Sequence, residues 1–281
     1  MLYLTHFGLR EAPFGITPDT GFACAVRAHQ EALNTLLMAL RTGEGFVKIS
    51  GEVGTGKTLL CRRLMQTLGE GWITAYLPHA GFGPETLMRA LAEELGIADP
   101  ARFDQYHLLR EINRALLDFA RSDNRVVVLI DEAQAMPLET MEALRLLSNL
   151  ETEKRKLLHI VLFGQPELDE KLRRPEIRQL LQRIAFHYRL QGLVRDEMGD
   201  YVTHRLRVAG RRDGELFSRR ALDALHGASG GTPRLVNILA HKALMATFGE
   251  GKSIVQVRHI RAAQRDTEGA QPVGWLCWRW G

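Results

Sequence analysis

The chain has 281 residues, 45% of them hydrophobic and 25% charged, values that suit a globular protein of about two domains and exclude a disordered or collagen-like chain. The formal net charge of +4 is too small an excess to specify a nucleic acid or an acidic membrane surface as partner. Three cysteines, Cys24, Cys61 and Cys277, form no C-x-x-C pair and no metal spacing with the histidines, which argues against a disulfide framework and fits a reducing compartment.

The N-terminal stretch MLYLTHFGLREAPFG has no basic region followed by an apolar core, so it does not read as a signal peptide. No apolar run approaches the roughly 20 residues a spanning helix needs. The expectation is a cytoplasmic protein with no transmembrane segment, reaching a membrane only peripherally or through partners. Residues 46–50 read as a buried strand leading into a Gly-rich loop, and 58–68 have helical spacing of Leu59, Leu60, Leu64 and Leu68. A second strand covers 72–77. Helices follow over 84–95, with Pro84 in the first turn, and over 104–121. The most apolar strand lies at 126–130, a helix opens at Pro137 and runs to about 150, and strands follow at 158–163 and 186–190. Near-continuous apolar strands alternating with helices predict an α/β fold, a parallel sheet covered on both faces. From about Leu193 the pattern becomes helical, at 195–208, 217–227, 232–248 and 254–266. The predicted domains are therefore an α/β domain over 1–193, a small helical domain over 194–266 and a tail over 267–281 that carries three of the four tryptophans. Such a tail is a candidate docking segment, because Trp is favoured at interfaces.

The stretch SGEVGTGKTLL carries the chemistry. Gly51, Glu52, Val53, Gly54, Thr55, Gly56, Lys57 and Thr58 fit G-x-x-x-x-G-K-[ST], with Leu59 continuing into the helix. Between a strand and a helix, such glycines let backbone N–H groups surround phosphates at a helix N-terminus. Lys57 would reach the β- and γ-phosphates of ATP, and the Thr58 hydroxyl would hold Mg²⁺. Asp131, ending the apolar strand, is the second candidate for the metal. Glu132, next to it, is placed to act as general base on an attacking water, which points to hydrolysis and away from phosphotransfer to a metabolite. Gln165, just past the strand at 158–163, is positioned for the γ-phosphate or the water. Arg183 precedes the last strand, and Arg234 follows Gly230-Gly231 at the start of a helix; either can stabilise charge on a transferring phosphoryl group.

Together, the P-loop, the apolar strand ending in Asp-Glu, Gln165, Arg183 and the GGTPR element resemble an AAA+ ATPase. The stretches HFGLREAPFGITPDTGF, HQEALNTLLMAL, RLLSNLETEKRKLLHIVLFGQPELDEKL and GGTPRLVNILAHKAL are more specifically similar to the ExeA/GspA family of secretion ATPases, over residues 1–266. Within it the chain looks most like the short branch tied to biogenesis of the mannose-sensitive haemagglutinin pilus. The resemblance implies ATP hydrolysis by Lys57, Thr58, Asp131 and Glu132. It also implies nucleotide sensing by Gln165 and Arg234, and an arginine finger at Arg183, with Arg178 as the weaker candidate. Phe14 and Pro18, in PFGITPD, would lie near the adenine. His79 stands where relatives often carry an Asn that restrains the glutamate, so that switch does not carry over. Longer members continue into a membrane span and a peptidoglycan-binding region; by the resemblance, this chain would act through a ring-like homo-oligomer and pilus or secretion proteins at the inner membrane. A more distant similarity to TniB/TnsC transposition ATPases and origin-recognition-like initiators makes duplex DNA the alternative partner, although no helix-turn-helix or zinc spacing accompanies it.

Overall fold

The computed structural model describes residues 2–271 apart from Pro18, Ala23, Ala25, Glu153, Lys154 and Asp213. In chain order the helices and strands are α1 (Leu2–His6), α2 (Arg27–Thr42), β1 (Phe46–Ser50), α3 (Lys57–Leu68), β2 (Trp72–Leu77), α4 (Pro84–Glu94), α5 (Gln105–Arg121), β3 (Arg125–Ile130), α6 (Leu138–Leu147), β4 (Leu158–Gly164), α7 (Pro166–Leu172), α8 (Arg178–Leu181), β5 (Ile184–Arg189), α9 (Glu197–Val208), α10 (Arg219–Ser229), α11 (Pro233–Gly249) and α12 (Val257–Arg265). They pack into two units. His29–Val53 and Lys57–Leu190 form an α/β unit; Met1–Ala28, Gly54–Gly56 and Gln191–Gly281 form a helical one.

The α/β unit is built on a five-stranded sheet in the order β2-β3-β4-β1-β5, every pair parallel. Side chains alternate across a strand, so a strand buried on both faces is largely apolar, and its buried polar side chains need partners, as Lys48 finds in Asp169 and His159 in the Glu44 carbonyl. The central strands β1 and β4 are buried throughout, and β3 from Val126 on. Val126, Val128 and Ile130 share one core with Ile160 and Leu162 and with Leu87, Leu91, Ile112, Leu116, Met141 and Leu144 from α4, α5 and α6. Val127, Leu129, Val161 and Phe163, on the opposite face, are buried as well. The edge strand β5, IAFHYR, departs from the near-continuous apolar pattern: it alternates between half-buried and exposed, because successive side chains point to opposite faces and only one face is covered.

The helical unit holds α1 and α9 to α12 around a core of Phe7, Phe14 and Phe22 with Met198, Tyr201, Phe217, Leu225, Leu239 and Leu244. The N-terminal segment therefore packs with this unit, not with the α/β unit where the sequence reading put residues 1–193. Polar bonds hold it there. Arg205 Nε donates to the Pro13 carbonyl at 2.6 Å, its guanidinium lies 4.9 Å over the Phe22 ring, and Asn237 Nδ2 donates to the Gly15 carbonyl at 3.0 Å. Between α10 and α11 the chain turns through Gly231 at φ +74°, where an added Cβ would stand 2.1 Å from the Leu193 carbonyl oxygen. Only glycine permits both that backbone angle and that approach. The tail from residue 272 onward, with Trp275, Trp278 and Trp280, lies outside the described residues.

Candidate active site

In the sheet, β1 is flanked by β4 on one side and β5 on the other, so the chain leaves β1 at a point where strand order reverses. Open parallel sheets bind ligands beyond the strand C-termini at such points. The P-loop starts there, with the Gly51 N–H donating to the Gly164 carbonyl at 3.1 Å. Lys57 opens α3 and is 6% exposed; its Nζ donates to the carbonyls of Gly51 at 2.6 Å and Glu52 at 3.0 Å. Burial pulls the Lys57 ammonium below its ordinary range, while Glu132 and Asp131 oppose the shift.

Although β4 separates β1 from β3, Asp131 reaches the P-loop. The Thr58 hydroxyl donates to Asp131 Oδ2 at 2.6 Å, and Oδ1 accepts the Glu132 N–H at 2.9 Å. Asp131 is 2% exposed; burial pushes its carboxyl up, and the bonds from Thr58 and Glu132 pull the other way. A converging hydroxyl and carboxylate suit a small hard cation that keeps waters and phosphate oxygens as its remaining ligands. Among the described residues no group of three or more His, Cys, Asp or Glu is arranged for a metal.

Glu132 holds a left-handed backbone at φ +52°, rare for a residue with a side chain. Its Oε2 accepts two amide donors, Gln165 Nε2 at 3.1 Å and Gln134 Nε2. Gln134 also accepts, at Oε1, the Gln165 N–H at 3.0 Å. Lys171 on α7 donates to the carbonyls of Gln134 at 2.5 Å and Met136 at 2.8 Å, tying down the short 3-10 turn Ala133–Ala135.

An AAA domain model matches residues 40–172, the span from the end of α2 to the end of α7 that contains these groups. The fold is that of an AAA P-loop NTPase. General secretion pathway protein A of Aeromonas hydrophila is 39% identical over 273 residues, covering 97% of this chain and 50% of that protein. The chain thus spans half the length of this curated relative. Among solved structures, the Cdc6p of Pyrobaculum aerophilum aligns with a TM-score of 0.66 at 17% identity, covering 89% of this chain and 71% of that one. The ORC2 protein of Aeropyrum pernix, solved in ADPNP–ADP complexes, aligns at 0.65 and 18%, covering 86% and 67%. At such identities they speak for the AAA fold alone.

The candidate site brings together Lys57, Thr58, Asp131, Glu132 and Gln165 in the α/β unit. Arg183 is placed differently from a free finger. Its Nη1 donates to the Arg145 carbonyl at 3.0 Å and to Ser148 Oγ at 2.5 Å, bonds that hold the end of α8 to the end of α6. Arg178, at the start of α8, is exposed; its carbonyl accepts the Gln182 N–H at 3.2 Å, and its side chain makes no hydrogen bond or ion pair among the described residues. In the helical unit, the Arg234 N–H donates to the Gly54 carbonyl at 3.2 Å. Phe14 is 3% exposed and meets Phe217 edge-on at 5.9 Å, a core contact; Pro18 lies outside the described residues. His79 is exposed, and the donors on Glu132 are Gln134 and Gln165 instead. The sequence reading passed over Gln134. Its position two residues after the Asp-Glu pair was the available signal.

Proposed function

We propose that this chain binds Mg-ATP and hydrolyses it as an assembly switch for secretion machinery, as MshM-type relatives would for a type IV, MSHA-like pilus. The observation that carries the hydrolytic reading is the pairing of Thr58 with Asp131 at 2.6 Å beside a separately held Glu132. Thr58 and Asp131 would hold the Mg²⁺, which when bound offsets phosphate charge. Glu132, the acid left without metal duty, accepts the proton from the attacking water. Lys57 neutralises the β- and γ-phosphates, and Gln165 orients the γ-phosphate or the water. Arg234 reports nucleotide state to the helical unit. Phe14 and Pro18 remain proposed neighbours of the adenine.

The secretion setting is supported by the Aeromonas relative, and the pilus setting by the family resemblance of the sequence. Work on either machine is proposed to involve a ring-like homo-oligomer whose active sites are completed by an arginine from the next subunit. No helix among the described residues is long and apolar enough to cross a membrane; contact with the inner membrane through partners is part of the same proposal. The test is kinetic. Glu132→Gln is expected to keep Mg-ATP binding and lose nearly all hydrolysis, whereas Lys57→Ala weakens binding itself. Parental turnover in Glu132→Gln would remove Glu132 as the base, and parental ATP affinity in Lys57→Ala would remove the phosphate role of Lys57.

A further inference from the structure

We propose that Gln134 is a positioning residue for hydrolysis: an amide bridge that holds the Glu132 carboxylate in place from the backbone of the Gln165 loop. The proposal rests on the reading of Glu132 as general base. Gln134 spends both ends of its side chain between two segments far apart in sequence. Its Oε1 accepts the Gln165 N–H at 3.0 Å and its Nε2 donates to Glu132 Oε2. The loop after β4 and the acid after β3 are thereby joined through one planar group. The anchor is backbone, so it does not depend on where the Gln165 side chain points.

Gln165 also donates to Glu132 Oε2, at 3.1 Å, but its side chain has a second duty toward the γ-phosphate in the proposed mechanism. Gln134 has none, so it is the holder that stays when Gln165 is drawn away. Both amides act on Oε2. Among the described residues Oε1 of Glu132 accepts no hydrogen bond, which leaves that oxygen presented for a proton. Fixing one carboxylate oxygen to present the other removes rotational freedom before the reaction, the kind of placement whose loss costs rate more than affinity.

Two features set the bridge. Glu132 is in the left-handed region at φ +52°, which sends the chain directly into the 3-10 turn carrying Gln134. Gly164 leaves room for the amide: an added Cβ there would stand 3.3 Å from Gln134 Oε1 and 2.5 Å from Leu168 Cδ2. Lys171 secures the turn from below through the carbonyls of Gln134 and Met136.

The test compares Gln134→Met, Gln134→Ala and Glu132→Gln in the full chain, reading steady-state ATP hydrolysis, Mg-ATP affinity and thermal unfolding. Gln134→Met keeps the length and the neutral charge but has no N–H to offer Glu132 and no oxygen to accept the Gln165 N–H. Both Gln134 variants are expected to lose about 10- to 100-fold in kcat, with KM and Mg-ATP affinity within about twofold of the parent and Tm lowered by at most a few degrees in Gln134→Met. If Gln134→Ala does not fold, Gln134→Met decides alone. Parental kcat in Gln134→Met, with Glu132→Gln inactive, overturns the bridge and leaves the base assignment standing. Loss of ATP affinity or of Tm in proportion to kcat makes Gln134 a structural residue and overturns the proposal too. Parental turnover in Glu132→Gln defeats the base assignment and the bridge with it.

Discussion

At the scale of single residues, the contacts of Arg183 change what is expected of it. A finger must be free to reach a neighbouring subunit's phosphates, yet the Arg183 guanidinium is engaged by the Arg145 carbonyl and Ser148 Oγ. We therefore move the proposed finger to Arg178, exposed at the start of α8. Arg183→Ala is expected to lower stability by about 1–2 kcal/mol through the lost charged donor, read as a lower Tm. Arg178→Ala should leave Tm unchanged, retain ATP binding and lose at least about tenfold in turnover, since an arginine finger acts on transition-state charge. Mixed with co-assembling Lys57→Ala protein, Arg178→Ala should regain activity, because the interface joining an intact Lys57 to an intact Arg178 is complete. Parental turnover in Arg178→Ala would return the role to Arg183 or to a partner protein. Of the site residues, Lys57, Thr58, Asp131, Glu132 and Gln165 were legible because each sits at a fixed step from a strand end. Gln134 was not, because its role lies in a bond to a loop 31 residues away.

At the scale of elements, the central strands were legible to within a residue or two. β3 from Val126 on and β4 apart from His159 are apolar because both of their faces are covered, while β1 adds a buried Lys48 and Ser50. Helix α7, of seven residues, is too short to show a helical period and appears only in the structure, whereas a helix ending near Arg183, where α8 lies, was readable ahead of the last strand. The α10–α11 junction illustrates how an element boundary depends on a distant backbone. Gly230 closes α10 in the left-handed region, and the next residue, Gly231, meets the Leu193 carbonyl while its own carbonyl accepts the Leu193 N–H at 2.8 Å. Gly231→Ala is expected to cost about 2–3 kcal/mol or more, which for a chain of this size lowers Tm by several degrees. Differential scanning calorimetry checks it, and an unchanged Tm would show that the junction relaxes without strain.

At the scale of the whole molecule, the likeness to Cdc6p and ORC2 concerns the fold and brings no nucleic-acid partner with it. Duplex DNA is therefore expected to leave the ATPase rate within about twofold of its value without DNA at physiological salt, and to bind without the steep salt dependence of a phosphate-contacting protein. A several-fold stimulation would favour the transposition-type reading over the secretion one. What the sequence determined by itself was local: the P-loop between strand and helix, the Asp-Glu pair at the end of an apolar strand, and the change from α/β alternation to helices near Leu193. These are legible because backbone propensity, burial periodicity and phosphate chemistry act over a few neighbouring residues. Only the tertiary structure decided that β4 lies between β1 and β3, that the first 28 residues belong with the helical unit, and that one glutamine joins Glu132 to the loop after β4. Each of those depends on partners far apart in the chain, such as Arg205 and Pro13 across 192 positions and Asn237 and Gly15 across 222. Hydrogen bonds of that range leave no periodic trace in the residues between them.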